Sequence, residues 1–248
     1  MEAAIIVENI SKSFRIFRGR ASTLKSTLLS AYKAKSEIKY ALHDINFIIN
    51  HNETVAIIGK NGSGKSTLLS IIARVYRPTT GTVIVNGRMS TMLELGSGFH
   101  PELTGRENVL FNAAVLGLSN KQVLGKMDSI IDFSELWDSI DEPVRTYSAG
   151  MMMRLGFAIA TEVNPDILLV DEVLAVGDAA FQDKCYERID DFRNAGKTIV
   201  FVTHDLEAAR KVAERTIWIS QSKLQMDGAT SEVLSAYLDT VPKHHERL

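Results

Sequence analysis

The segment Gly59–Thr67, GKNGSGKST, follows directly on an apolar run, Thr54–Ile58, and this juxtaposition does most to narrow the folds open to the chain. An apolar strand that runs into a glycine-rich turn and then a helix leaves backbone N–H groups converging on one point. The positive end of the helix dipole adds to them there. Such a loop cradles phosphate: Lys65 reaches the β- and γ-phosphates, and the Ser66 hydroxyl ligates Mg²⁺. Gly59, Asn61, Gly62, Ser63, Gly64, Lys65, Ser66 and Thr67 are therefore expected to bind a nucleoside triphosphate. A merely flexible Gly/Ser loop is the plainer alternative, and the strand–loop–helix setting argues against it.

The 248 residues suffice for one large domain or two joined subdomains with a sizeable core. Hydrophobic content of 45% and charged content of 23% are ordinary for a globular chain. A net charge of −2 supplies no general attraction for nucleic acid, and no nucleic-acid partner is expected. Cys185 is the single cysteine, which excludes an internal disulfide, suits a reducing compartment and reads as a small buried apolar residue. No apolar run reaches the roughly 18 residues of a membrane-crossing helix. The start MEAAIIVENISKSF lacks the basic and apolar regions of a secretory signal, so an intracellular chain is expected, with Ala4–Val7 as its first strand.

Charge is unevenly placed. Arg15, Arg18, Arg20, Lys25, Lys33, Lys35 and Lys39 face only Glu37, and Leu24, Leu28 and Tyr32 recur at the spacing of a short amphipathic helix. This basic insertion over 15–39 is either a solvated surface segment or a contact for anionic lipid headgroups or a membrane-embedded partner.

Beyond the phosphate loop a helix is expected through about Arg74. Thr82–Val85, Asn86-Gly87 and the run from Met89 read as a hairpin with a type I′ turn. From about 100 to 162 the pattern is helical, with a Ser119/Gln122 capping box before Val123, Met127 and Ile130–Ile131. A second helix starts near Ser148 with Leu155, Ile159 and Ala160 on its apolar side. Strands return at Ile167–Val170, Thr198–Thr203 and Thr216–Ser220, and a last helix covers about Ser231–Leu238. Alternating strands and helices imply an α/β core with parallel strands and a helical insert.

Ile167–Val170 leads into Asp171-Glu172. Side chains at the carboxyl end of a buried parallel strand line the ligand crevice, so Asp171 is placed to hold Mg²⁺ and Glu172 to orient or deprotonate an attacking water. His204 follows another such strand and should emerge on the same edge.

These residues, together with YSAGMMMR at 147–154, resemble the nucleotide-binding subunit of an ATP-binding cassette (ABC) transporter over nearly the whole chain. Phosphate loop, LSGGQ-like signature, Asp-Glu pair and switch histidine occur here in the family's order. The resemblance implies a RecA-like core with a mixed sheet plus a helical subdomain, and ATP hydrolysis with Mg²⁺. It implies a homodimer closing head to tail, with Ser148 and the Gly150 N–H of one copy contacting the γ-phosphate held by the other. Catalysis falls to Glu172, His204 and Lys65. Asp178 matches the interface aspartate of the D-loop, and Phe14 matches the aromatic that stacks on adenine, with Tyr40 as the alternative. Three departures stand out. Ala149 and Met151 replace the usual Gly and Gln of the signature. No glutamine lies near 94–96, where Glu94 or water must complete the metal shell. DEVLAVGD lacks the common proline and serine after the glutamate.

FHPELTGREN, the YSAGM signature and DEVLAVGDAAFQDKC resemble the branch that exports lipid-linked polysaccharides: O-antigen, capsule and teichoic acid. That implies two copies of a multi-span membrane permease as partners, the lipid-linked polymer handled through them, and a peripheral place on the cytoplasmic face of the cell membrane. Short permease helices would be received at Gly98–Asn108. The expected division is residues 1–98 (antiparallel β and first half of the core), 99–162 (helical subdomain), 163–240 (second half of the core) and 241–248 (tail). With Leu248 as the last residue read, no carbohydrate-binding domain like that of some O-antigen members is expected. The rival readings are a soluble, non-transport ABC ATPase and a module that holds ATP without turning it over.

Overall fold

A computed structural model describes residues 2–17, 36–93, 96, 98–171 and 178–240. Glu94, Glu172, the tail 241–248, and Arg18, Arg20, Leu24, Lys25, Leu28, Tyr32, Lys33 and Lys35 of the basic insertion lie outside the described residues. Two sheets organise the molecule. β1 (Ala3–Phe17), β2 (Ser36–Asn50) and β4 (Thr80–Val85) form an antiparallel sheet in the order β2-β1-β4. The second runs β5-β6-β7-β3-β8-β9, from β3 (Thr54–Ile58), β5 (Met89–Thr91), β6 (Ile167–Asp171), β7 (Thr198–Val202), β8 (Arg215–Ser220) and β9 (Lys223–Ala229). It is parallel apart from the β8–β9 pair.

The continuous apolar strands follow from burial on both faces. In β3, Val55 and Ile57 point into a core with α1 (Lys65–Ile72) and the antiparallel sheet, while Ala56 and Ile58 meet α7 (Leu206–Val212) and α8 (Thr230–Thr240). In β6, Ile167 and Leu169 join the first of these cores, and Leu168 and Val170 join a third core shared with the helical region. The third core centres on Phe157, stacked on Phe133 at 5.6 Å with Phe181 set edge-on to both. Cys185 is fully buried beside it, and burial raises its thiol to about 12, so it is an inert apolar residue as expected.

The structure departs from the sequence pattern in three places. The first strand continues to Phe17, and β2 pairs with it as far as Phe17↔Ser36. Paired bulges hide this ribbon: buried Val7 and Ile10, and buried Leu42 and Ile45, are three apart rather than two. Asn9 and Asp44 take φ values of 51° and 52° at those steps. Side chains brace both bulges, with Asn9 N–H donating to Asn46 Oδ1 (2.7 Å) and Asp44 N–H to Ser11 Oγ (3.0 Å).

The expected hairpin at Asn86-Gly87 does not form, since β4 and β5 belong to different sheets. Asn86 anchors to the carbonyl oxygens of Ala3 and Ala4, Arg88 N–H donates to Asp166 Oδ2, and only Gly87 of the pair has positive φ. A type I′ turn needs positive φ at both positions. The helix after Ser119 is also two pieces, α3 (Asn120–Leu124) and α4 (Met127–Ser134), parted at Gly125-Lys126. Gln122 Oε1 does accept from the Ser119 N–H at 2.9 Å.

The remaining helices are α2 (Gly105–Val115), α5 (Ala149–Glu162) and α6 (Ala179–Asn194). Glu162, at the end of α5, is buried and knits the helical region to the core. It accepts from Lys126 (2.9 Å), Ser129 (2.8 Å) and Arg188 of α6 (3.2 Å). Burial alone pushes its carboxyl up, but the hydrogen bonds from Lys126 and Ser129, with the charges of Lys126 and Arg188, outweigh that and leave it below its ordinary value. A lowered folded pKa adds stability that is complete above the unfolded value and fades as pH falls through the folded one. Glu162→Gln should therefore cost about 1–3 kcal/mol at neutral pH. Urea melts of both proteins should converge as pH falls below the ordinary glutamate value of 4.5.

Candidate nucleotide site

Register brings the expected residues to one edge of the large sheet. Ile57, Val202 and Asp171 stand level across the adjacent strands β3, β7 and β6. Gly59 and His204 each follow two residues beyond their strand's member of that row, so phosphate loop, Asp171 and His204 share the carboxyl edge where ligands of parallel sheets sit. One carboxylate oxygen of Asp171 is wholly enclosed, while the His204 side chain is exposed.

The loop's glycines are demanded by backbone geometry. Gly62 and Gly64 have φ of 78° and 113°, and a Cβ on Gly64 would collide with the Ala41 carbonyl and lie 2.7 Å from Leu42 Cδ2. Lys65 is 5% exposed and donates to the Gly59 carbonyl at 2.8 Å, which fixes its ammonium within the loop's curve. Helix α1 begins at Gly64 with no side-chain cap and no acidic residue in its first turn, leaving its N-terminal N–H groups and dipole for an anion. Ser63 is buried, and its Oγ has no partner among the described residues.

Over this loop opens a cavity of about 560 Å³ lined by Asn61, Gly62, Gly64, Lys65, Ser66 and Thr67 on one side, and by Phe14, Ile16, Lys39 and Tyr40 of the β1–β2 ribbon on the other. Both proposed adenine partners therefore face the phosphate loop. The Phe14 ring is braced edge-on by Tyr76 at 6.1 Å with Lys12 Nζ 5.2 Å from its centre, and Tyr40 lies 5.6 Å from His43. Ile16 carried no expectation from the sequence, and Lys39 was expected in the basic insertion rather than at the nucleotide cavity. Ile16 is two residues beyond Phe14, and Lys39 is Phe14's partner across the ribbon, so recognising the ribbon would have found both.

Ser148 and Gly150 lie elsewhere, against a cavity of about 410 Å³ lined by Glu135, Leu136, Asp138, Ser139, Met151 and Arg154; it shares no residue with the phosphate-loop cavity. Ser148 caps α5 by accepting from the Met151 N–H at 3.2 Å, which leaves its hydroxyl proton to donate outward. Asp178 caps α6 by accepting from the Phe181 N–H at 3.0 Å. That bond foremost, then Arg154, holds its carboxyl below the usual range.

The segment before α2 is tied down by hydrogen bonds. Buried Asn108 accepts from His100 N–H (2.7 Å) and donates to the carbonyls of His100, Leu103 and Thr104, while Thr104 and Glu107 form a full capping box. The T-x-x-E pattern was the available sequence signal. Beside it, a cleft of about 120 Å³ is lined by Gly98, Phe99, Asn112, Val115, Leu116 and Ile159, among others.

Of the residues expected to hold Mg²⁺, Asp171 and Ser66 are described, and no group of three or more His, Cys, Asp or Glu that could hold a metal occurs among the described residues. One carboxylate and one hydroxyl suit Mg²⁺, which takes most of its shell from water and substrate phosphates. No helix among the described residues is long and apolar enough to cross a membrane.

The ABC transporter family model matches residues 42–175. An O-antigen export system ATP-binding protein, RfbB, of Klebsiella pneumoniae is 45% identical over 96% of this chain and 98% of its own length. RfbB of Myxococcus xanthus is 48% identical over 96% of this chain but only 56% of its own length. A teichoic acids export ATP-binding protein, TagH, of Shouchella clausii is 38% identical over 97% of this chain and 67% of its own. Among solved structures, the dimeric ATP-binding cassette MJ0796 in a post-hydrolysis state bound to ADP and Pi superposes with a TM-score of 0.74 at 24% identity, covering 91% of this chain and 98% of that one; at that identity the likeness speaks for the fold alone. With phosphate loop, Asp171 and His204 on one edge of this fold and a relative matched over nearly its full length, the chain belongs to the ABC transporter family as an ATP-binding, ATP-hydrolysing subunit.

Proposed function

We propose that this chain drives export of a lipid-linked polysaccharide of O-antigen type, as a homodimer on the cytoplasmic face of the cell membrane beneath two copies of a multi-span permease. The observation that carries this reading is 45% identity to an O-antigen export ATP-binding protein across 98% of that protein. The 38% identity to a teichoic acids export protein supports that class of polymer as the second reading, and capsule stands as the remaining alternative.

The proposed reaction is ATP + H₂O → ADP + phosphate. Phosphoryl transfer is catalysed chiefly by positioning and charge. Lys65 and the first N–H groups of α1 hold the β- and γ-phosphates, Phe14 or Tyr40 stacks on adenine, and Glu172 positions the attacking water. His204 stabilises the γ-phosphoryl oxygens. Ser66 and Asp171 would hold Mg²⁺, which would supply charge neutralisation at the phosphates. Ser148 and the Gly150 N–H of the second copy close over the γ-phosphate, and Asp178 lies at the interface.

A permease segment is proposed to seat at Gly98–Asn108 and the adjoining cleft, flanked on α2 by Phe111 and Val115, 54% and 71% exposed. The knot at Asn108 makes this a firm socket, able to pass rotation of the helical subdomain to its partner. The basic stretch 15–39 is proposed as a further contact for anionic headgroups. Residues 99–162 form the helical subdomain between the two halves of the core.

Glu172→Gln should keep ATP affinity and lower hydrolysis by about 10²–10⁴-fold, trapping a dimer; a phosphate-release assay at the parent rate would remove Glu172 from its role. Lys65→Ala should weaken ATP binding by roughly tenfold or more; unchanged affinity in titration with fluorescent ATP would count against the loop's grip. Phe14→Ala should raise the ATP Kd by about two- to tenfold and exceed the effect of Tyr40→Ala; the reverse order assigns stacking to Tyr40. In a deletion strain, undecorated surface and an accumulated lipid-linked polymer are expected, and chemical identification of that polymer separates O-antigen from teichoic acid or capsule. A strain with unaltered surface glycans would oppose the export reading.

A further inference from the structure

Arg154 sits on α5, six residues past the Ser148 cap, and no part of the reaction above employs it. Its guanidinium donates to Glu135 Oε2 at 2.8 Å and to Asp178 Oδ2 at 2.9 Å, and it lies over the Phe181 ring at 4.8 Å. The side chain is 19% exposed, whereas its two carboxylate partners are 50% and 67% exposed. Glu135 closes α4 in a left-handed conformation at φ 59° and is also paired with Lys184 of α6 at 3.1 Å. One planar group thus joins the end of α4, the body of α5 and the cap of α6. It also lines the same cavity as Ser148 and Gly150.

Exposed ion pairs add little stability one at a time. A guanidinium fork shared between two carboxylates and laid on an aromatic ring fixes direction instead, and an ammonium cannot copy that geometry. The cap residue Asp178 has its position set by the Phe181 N–H and by Arg154 together. A Cβ on Gly150 would meet, outside its own helix backbone, nothing nearer than Ser148 Oγ at 3.8 Å, so the face of that turn is open.

We propose that Arg154 is a positioning residue that locks the Ser148–Gly150 turn to Asp178, so that each copy presents both to its partner's ATP as one rigid unit. This rests on the reading that the site is shared between two copies. It predicts a defect confined to what one copy does for the other. Nucleotide held by the phosphate loop of a single copy should be untouched, since that cavity shares no lining residue with the one Arg154 faces.

The test uses the full chain with Arg154→Met, which keeps the apolar stem over Phe181 and removes the fork, and Arg154→Lys, which keeps the charge alone. ATP affinity of the monomer, kcat, melting temperature, and ATP-driven dimerisation in the Glu172→Gln background are measured. Arg154→Met should lower kcat by roughly ten- to hundredfold and shift dimerisation to higher ATP, with monomer ATP affinity within about twofold of the parent and Arg154→Lys between the two. Parent-like kcat and dimerisation in Arg154→Met, with Glu172→Gln alone dimerising normally, would overturn the role of Arg154 and leave the shared site standing. Losses of ATP affinity and melting temperature in step with kcat would also overturn it, as the mark of a purely structural arginine. If Glu172→Gln alone stays monomeric with ATP, the shared site fails and this role falls with it.

Discussion

Everything at the site depends on one strand that is buried along its whole length. All five residues of β3 are buried between β7 and β8, with apolar side chains filling cores on both faces. A strand so held cannot shift or fray, and the turn that leaves it is fixed in space. The glycines then do what side chains would forbid: Gly64 passes against the Ala41 carbonyl in a left-handed conformation, and α1 starts with its N–H groups uncapped. Because β6 and β7 share the register of β3, Asp171 and His204 are placed by the same core.

That edge is well built for gripping phosphate and incomplete for closing over it. Ser148 and Gly150 line a different cavity, and Ser148 retains a hydroxyl proton to donate away from its own helix. We propose that a second copy resolves the mismatch, since a symmetric pair can present each signature to the other's phosphate loop. On this view the ion pairs around Arg154 and Glu162 serve different ends. Glu162, nearly enclosed, holds the helical region to the core, and Arg154, nearer the surface, sets the direction of the face offered to the partner.

The buried parallel strands and the phosphate loop were legible because their physics is local: four apolar residues running into a glycine-rich turn admit few other folds. Lys65, Asp171 and His204 could be placed on one edge from that alone. The β1–β2 ribbon was not legible, because paired bulges at Asn9 and Asp44 shift the alternation by one residue on both strands. With the ribbon went Ile16 and Lys39 of the nucleotide cavity. The Asn86-Gly87 hairpin misled for the opposite reason. A strong local turn signal was overruled by Asn86 bonding to β1 and Arg88 bonding to Asp166, contacts far apart in sequence. Arg154 carries no sequence signal of its own, since its meaning comes from Glu135 and Asp178 meeting it in space.

The claim that each nucleotide site takes a half from each copy is tested most directly by mixing two inactive chains. One carries Lys65→Ala, disabling its phosphate loop, and the other carries Ser148→Arg, blocking its signature. Within a mixed dimer both defects fall in one site and the other site is intact. Phosphate release should therefore recover to about a quarter of the parent rate when the two are combined in equal amounts, because half of randomly paired dimers hold one working site of two. A mixture as inactive as its components, with mixed dimers shown to form, would contradict the account.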